Sequence, residues 1–433
     1  MNKTAYFFLL SLIAGIFLSG AAQALPIGSP GVSQKPVADQ SPAERQATQG
    51  FEALAKGDLK TAEATFSEAL KLDPKQVGSM LGLAEVSLQR KRPKEAEARL
   101  KEALTTQPEN GEVHAAYGRY HFSQGRYTEA EASYKKAINL NKQVFLAYMD
   151  LGDLYLTVQR RPKEAVEAYG KAVALQPSYP PARFGLGMAL AATGNKSAAI
   201  SELQQAARLG PQDPAALHMI GRMHASEKRF DQALQALTAA LSAKPDFLPA
   251  LYDRADVYAE VGKNREAAVE YERILQATPK DSVARLKLGM IYQRLSRISD
   301  AEVAYHAALK ENPQLAPAYN NLAMIALDKG GNPSDALQWA KKAVELAPNV
   351  PQFHDTLGWV YRALGDKTKA VTALEKASKL PPPQAEIWYR LGLVYEESGN
   401  KAQAAAAYKK ALTVQADFPK AAEAKARIGA LGK

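Results

Sequence analysis

The sequence predicts an all-α fold, an α-solenoid of about eleven helical hairpins closed by a C-terminal capping helix, and three periodic features predict it. An alanine recurs eleven times at a spacing of 34 or 35 residues, from Ala62 and Ala96 through Ala233 to Ala370 and Ala404. Seven residues after each lies a second alanine, broken only by Ile274. Five residues further comes proline in nine repeats, from Pro74 to Pro382, with Lys142 in the third repeat and Ala416 in the last. These independent positions keep one register, which sets the repeats at 43–76, 77–110, 111–144, 145–179, 180–213, 214–247, 248–281, 282–315, 316–350, 351–384 and 385–418.

The residue types fit the elements in order. Two helices cross closely only where a side chain is nearly absent, and eight repeats, with Gly50, Gly118, Gly152, Gly187 and Gly392 among them, place glycine twelve or thirteen residues before the first alanine. Bulky residues fill the space that remains: Leu83, Tyr117, Leu151 and Leu391 from first helices, and Phe66, Tyr134, Tyr169, Tyr271, Tyr305 and Tyr408 from second helices. Proline has no backbone donor and restricts the residue before it, so it ends the second helix and opens the turn to the next unit. One hairpin buries too little surface to stand alone, and stacking on its neighbours supplies the stability.

The two ends read differently. Lys3, an apolar run from Tyr6 to Leu18 and then Ala22-Gln23-Ala24 form the pattern of a secretory signal over 1–24. The run is shorter than the roughly 20 residues that span a bilayer, so cleavage after Ala24 is expected, with an uncleaved anchor as the alternative. Residues 25–42, holding Pro26, Pro30, Pro36 and Pro42, read as a flexible leader. Residues 419–433 read as the capping helix, with Ala422, Ala426 and Ile428 as its apolar stripe. No cysteine occurs in the 433 residues, which excludes disulfides and an anchor carried on a cysteine.

The 34-residue period with this order of alanine, aromatic or leucine, alanine and proline resembles the tetratricopeptide (TPR) repeat over residues 43 to 418. The resemblance implies a right-handed solenoid in which the first helix of each hairpin lines a concave groove at positions 2, 5, 9 and 12. Carried over, it places Phe122, Met149, Phe184, Met188, Tyr252, Trp359 and Tyr389 in a partner groove, beside Met290, Met324, Asp153, Asp256, Arg119 and Arg362. Methionine and aromatic side chains on an adaptable surface suit an extended or helical polypeptide; the alternative is that these rings pack between first helices. The Lys and Asn pair with which chaperone-binding TPR modules hold a C-terminal carboxylate is absent from every repeat, and Asn321 alone occupies position 6, where peptide-gripping superhelices of this family place Asn. The closing segments Tyr319-Asn320-Asn321-Leu322-Ala323, His354-Asp355-Thr356-Leu357-Gly358-Trp359-Val360 and Trp388-Tyr389-Arg390-Leu391-Gly392 are similar to terminal repeats of exported bacterial TPR proteins, including those associated with exopolysaccharide export.

No reaction chemistry emerges from the pattern. The six histidines fall at repeat-defined packing positions, without the spacing of a metal site. Gly185-Leu186-Gly187 lacks the third glycine and the preceding strand of a dinucleotide fingerprint. The expectation is a non-enzyme with no cofactor and no metal. Charge points instead to a surface. The turns within the hairpins hold twenty Lys and Arg against ten Asp and Glu, in a chain of net charge +10. Arg90, Lys91, Arg92, Lys94, Arg160, Arg161 and Lys163 concentrate there, a basic edge for an anionic polysaccharide, lipid headgroups or an acidic protein; export disfavours nucleic acid. The functional expectation is a protein-binding scaffold in the bacterial envelope, in the periplasm, serving polysaccharide export or assembly. The alternative is a periplasmic chaperone or assembly factor for pili or outer-membrane proteins.

Overall fold

The computed structural model describes residues 39–329 and 333–432. The expected signal segment and most of the expected leader lie outside the described residues, as do residues 330–332. Among the described residues there are twenty-three α-helices and no strand, in two compact units.

The first unit, Met1–Pro245, carries α1 (Pro42–Ala55), α2 (Leu59–Leu72), α3 (Val77–Gln89), α4 (Pro93–Thr106), α5 (Gly111–Ser123) and α6 (Tyr127–Leu140). It continues with α7 (Phe145–Asp153), a π-helical turn (Leu154–Val158), α8 (Pro162–Leu175), α9 (Pro180–Ala192), α10 (Lys196–Leu209), α11 (Ala215–Ser226) and α12 (Phe230–Ala243). The second unit, Asp246–Lys433, carries α13 (Leu248–Glu260), α14 (Asn264–Ala277), α15 (Ser282–Arg294), α16 (Ile298–Glu311), α17 (Ala316–Asp328) and α18 (Pro333–Leu346). After these come α19 (Pro351–Ala363), α20 (Lys367–Lys379), α21 (Ala385–Glu397), α22 (Lys401–Val414) and α23 (Ala421–Leu431). Within each unit an odd-numbered helix packs on the even-numbered helix that follows it and on the one before it. Odd-numbered helices also meet one another, as α3 meets α5 and α19 meets α21.

The small residues lie where the helices cross. All eleven first alanines, Ala62 to Ala404, are wholly buried, and the second set, with Ile274 in its place, is buried as well. Phe66, Tyr134, Tyr169, Tyr271, Tyr305 and Tyr408 are the largest buried side chains, and glycine faces each of them except Tyr271. A Cβ on Gly50 would fall 2.6 Å from the Phe66 ring and one on Gly82 2.3 Å from it, so Phe66 is wedged between two first helices that cannot carry a side chain there. Gly185 faces Tyr169 and Gly187 faces Leu203, which makes the Gly-x-Gly pair a packing device.

The ten described hairpin turns close in the same way. A residue in the left-handed region separates the helices: Gly57, Gly125, Gly194, Gly262, Gly365 and Gly399 in six turns, and Lys91, Arg160, Lys228 and Ser296 in four. The next N–H donates five residues back, as from Arg92 to Ser87 O at 2.8 Å and from Asn400 to Tyr395 O at 2.9 Å, which satisfies a carbonyl at the end of the first helix. In the fourth repeat the bond reaches six residues back, from Arg161 to Tyr155 O at 2.8 Å. The extra residue of that 35-residue repeat is taken up by the π-helical turn, and α8 still starts in register.

Helices α6 and α22, whose repeats hold Lys142 and Ala416 at the proline position, end at Leu140 and Val414: Asn141 and Gln415 turn to extended backbone and donate to Ala137 O and Ala411 O. Two sequence expectations are corrected. Pro42, assigned to the leader, begins α1, where the fixed ring angle suits the first turn and Ser41 and Glu44 form a capping box. In α23 the buried stripe is Ala421 and Ala424, with Ile428 and Leu431 packed beside them, while Ala422 and Ala426 face solvent. The helix starts at Ala421, so its packed face runs through Ala421, Ala424 and Ile428, and Ile428 alone of the three expected positions lies on it.

Candidate partner-binding faces

The odd-numbered helices bring their position 5, 6 and 9 residues together into ion-pair rungs between neighbours. In the first unit Arg119 on α5 reaches Glu85 on α3 at 3.5 Å and Asp150 on α7 at 3.2 Å. Burial pushes the Asp150 carboxyl up to about 6, against the pull of Arg119. Asp153, one turn on, is pushed up to about 7 by burial although the Tyr169 hydroxyl donates to it. In the second unit Lys287 on α15 meets Asp256 on α13 at 2.6 Å and lies 5.9 Å from the Tyr252 ring.

The second unit also has a concave site of about 650 Å³ between α19, α21 and α23. Glu386, Tyr389, Leu393 and Glu396 line it from positions 2, 5, 9 and 12 of α21, and Trp359 and Arg362 from positions 9 and 12 of α19. Two guanidinium groups stack on Trp359, Arg362 at 4.4 Å and Arg390 at 5.0 Å from the ring centre. Both are also ion-paired, Arg362 with Glu397 at 3.0 Å and Arg390 with Asp355 at 2.6 Å. The capping helix supplies the third wall, where Arg427 reaches Glu396 at 3.1 Å and Glu423 at 3.0 Å. These α23 residues were not among the sequence candidates; their signal was the i, i+4 pair Glu423 and Arg427 on a helix read only for its apolar face. A shallow concavity of about 690 Å³ at the turn Gln107 to Glu112 has no aromatic lining.

The seven groove candidates divide. Met149, Met188 and Tyr389 are buried, with 6%, 2% and 5% of their surface exposed, and belong to the apolar core. For Met149 and Met188 that corrects the reading as open groove, since the close approach of first helices covers them; Tyr389 is buried and still lines the concave site. Tyr389 also spends its hydroxyl on Glu423, whose carboxyl this bond and Arg427 hold down to about 2. Phe184 is half-buried against the core, Phe122 stands edge-on to Tyr127 at 5.5 Å, and Tyr252 donates to Asp281. Trp359 is the groove candidate that lines the concave site without being buried.

The basic edge divides too. Arg90 pairs with Glu63, Arg92 with Glu95 at 3.5 Å, and Arg161 with Glu131 and Glu164 at 3.2 and 2.9 Å while stacking 4.5 Å from Tyr155. Lys91, Lys94 and Lys163 are exposed and make no ion pair among the described residues. The histidines serve packing: His114 and His354 are buried, with Nε2 at 2.9 and 2.8 Å from the carbonyls of Pro108 and Pro348. No group of three or more His, Asp or Glu is placed to hold a metal ion among the described residues.

Tetratricopeptide-repeat profiles match residues 53–120 and 224–291, residues 149–214, 286–351 and 356–425, and residues 118–159. No curated protein matches the sequence. Among solved structures, the APC/C hetero-tetramer Cut9–Hcn1 resembles 91% of this chain over 97% of its own, at 14% identity and a TM-score of 0.48. A tetratricopeptide repeat protein from Parabacteroides merdae aligns with 59% of this chain over 100% of its own, at 21% identity and a TM-score of 0.48. YrrB, a TPR protein with an unusual peptide-binding site, aligns with 43% of this chain over 95% of its own, at 24% identity and a TM-score of 0.37. With repeat profiles matched along most of its length, the chain belongs to the tetratricopeptide-repeat family, whose scaffolds typically mediate protein–protein interaction.

Proposed function

We propose that the chain is a non-enzymatic scaffold of the cell envelope that holds a polypeptide partner on its first-helix face, in the service of an export machine such as one for polysaccharide. The observation that carries the binding reading is the concave site of the second unit, where positions 2, 5, 9 and 12 of α21 converge with Trp359. The shape and the aromatic and apolar contacts of Trp359, Tyr389 and Leu393 fit a protein segment, while the eight charged groups around them balance four against four and form no acid–base or nucleophile pair. Support for the envelope comes from the order Lys3, apolar run, Ala22-Gln23-Ala24. The test is fractionation of the native host with N-terminal sequencing, followed by crosslinking in envelope extracts. A chain beginning at Leu25 and crosslinked to polysaccharide synthase or export components supports the proposal. Intact Met1-initiated protein in the cytosol sinks the envelope reading, and crosslinks to pilus or barrel subunits replace the export role with an assembly factor.

A further inference from the structure

The hairpin turns of the first unit follow the C-terminal ends of first helices that stack side by side, so they emerge along one edge of that unit. These six turns hold thirteen Lys and Arg against six Asp and Glu, while the five turns of the second unit hold seven against four. Helix dipoles do not account for the excess, because each turn joins the negative end of one helix to the positive end of the next. Of the six acids four are engaged: Asp58 caps α2 through Thr61, Glu95 pairs with Arg92, Glu164 with Arg161, and Glu227 with Lys196 and Arg229. The backbone adds a second observation. At the apex of each turn one residue lies in the left-handed region, where a side chain is disfavoured and where glycine, or failing it Asn or Asp, is the usual occupant. Gly57, Gly125 and Gly194 fill the apex in the first, third and fifth repeats, but the second, fourth and sixth place Lys91, Arg160 and Lys228 there, at φ 58, 54 and 58. All three side chains are exposed, and Lys91 and Lys228 make no ion pair among the described residues. In the second unit the described apices are Gly262, Ser296, Gly365 and Gly399, none of them charged. A disfavoured conformation kept for a basic side chain, three times on one edge, points to a use for that charge outside the fold.

We propose that this edge docks the chain on an anionic bilayer surface. Neighbouring first helices stand about 8–10 Å apart, so apices in alternate repeats are about 20 Å apart. No single small anion bridges that gap, whereas a bilayer presents headgroups along the whole edge. Tyr127, at the first position of α6 in the repeat between Lys91 and Arg160, is 40% exposed. Its ring and hydroxyl suit the headgroup depth, where tyrosine concentrates at membrane–water interfaces, and Phe122 stands edge-on behind it. Lys94 and Lys163, also exposed and without an ion pair among the described residues, widen the charged band. Contact through the turns leaves the first-helix faces uncovered, so the docking is independent of the polypeptide binding proposed above.

Co-sedimentation of the chain from Leu25 with lipid vesicles tests the docking; this chain keeps every described residue and lacks the apolar run that would itself enter a bilayer. It is expected to bind vesicles of phosphatidylcholine with phosphatidylglycerol and to ignore phosphatidylcholine alone. Binding should weaken as added salt shortens the screening length below about 8 Å. Lys91→Gly, Arg160→Gly and Lys228→Gly together give these turns the residue that other turns use, so the melting temperature should hold or rise. The same triple variant should lose on the order of a hundredfold in vesicle partition, about fivefold for each charge. Tyr127→Ala should weaken vesicle binding and leave retention on the soluble polyanion alginate unchanged. Undiminished vesicle binding in the triple variant overturns the proposal. Retention of the native chain by alginate with no binding to vesicles overturns it too, and gives the edge to an acidic polysaccharide.

Discussion

Single side chains set the tolerance of this array. Ala233 is wholly buried where α12 crosses its neighbours, so Ala233→Trp should destabilise by about 3 kcal/mol or more, the upper range of core overpacking, in urea denaturation; a silent substitution would contradict the crossing. Lys228 sits at φ 58 where other turns use glycine, and Lys228→Gly should raise stability by about 0.5–1 kcal/mol, relief of left-handed strain offset in part by glycine's entropy. Asp153 gives a pH signature. Its folded pKa of about 7 lies above the ordinary 3.8, so its contribution to stability is fully present below 3.8 and is lost as pH rises through about 7. Asp153→Asn keeps an acceptor for Tyr169 and should be more stable than the native chain at pH 8 by about 1–3 kcal/mol, allowing for partial solvent access, with the gap closing towards pH 4 in melts across that range. The alanines, glycines and wedged rings were legible in the sequence because a helix crossing admits few side chains. The fates of Met149, Met188 and Tyr389 were not, because period alone does not say how closely two first helices approach.

At the scale of elements, the hairpin turns explain what the charge pattern could and could not say. Counting residues found an excess of Lys and Arg in the turns, but the partners of Arg90 and Arg161 lie 27 and 30 residues away on the preceding hairpin, as Glu63 and Glu131. Pairing across hairpins is invisible to a count taken position by position. The two kinds of basic residue should separate in experiment. Arg161→Glu should lower stability by about 1 kcal/mol or more, since it sets a carboxylate against the largely buried Glu131. Lys91→Glu, Lys94→Glu and Lys163→Glu together should leave the melting temperature nearly unchanged while weakening co-sedimentation with anionic vesicles at low salt; undiminished sedimentation would dismiss the edge as a binding surface. The phase of α23 escaped the sequence for a related reason. A short helix with small residues on several sides has no single apolar stripe until its start is known.

For the whole chain, nearest-neighbour packing predicts local consequences of large changes. Removing residues 385–433 takes away α21, α22 and α23 and uncovers the faces of α19 and α20 that they pack against. Hydrogen exchange should then show fraying that begins in the repeats before the cut, while α1 to α10 keep their protection; uniform loss of protection would mean that cooperativity extends over the full length. The π-helical turn at Leu154–Val158 carries this locality into the history of such a sequence. An added codon in the middle of an array would be expected to rotate every later helix by about 100° and turn the buried alanines outward. Here the surplus is absorbed within one turn of helix, and the next alanine, Ala165, is again wholly buried. The gene can therefore gain a residue at a hairpin without a compensating loss downstream, and strict arithmetic spacing is not what selection has had to preserve.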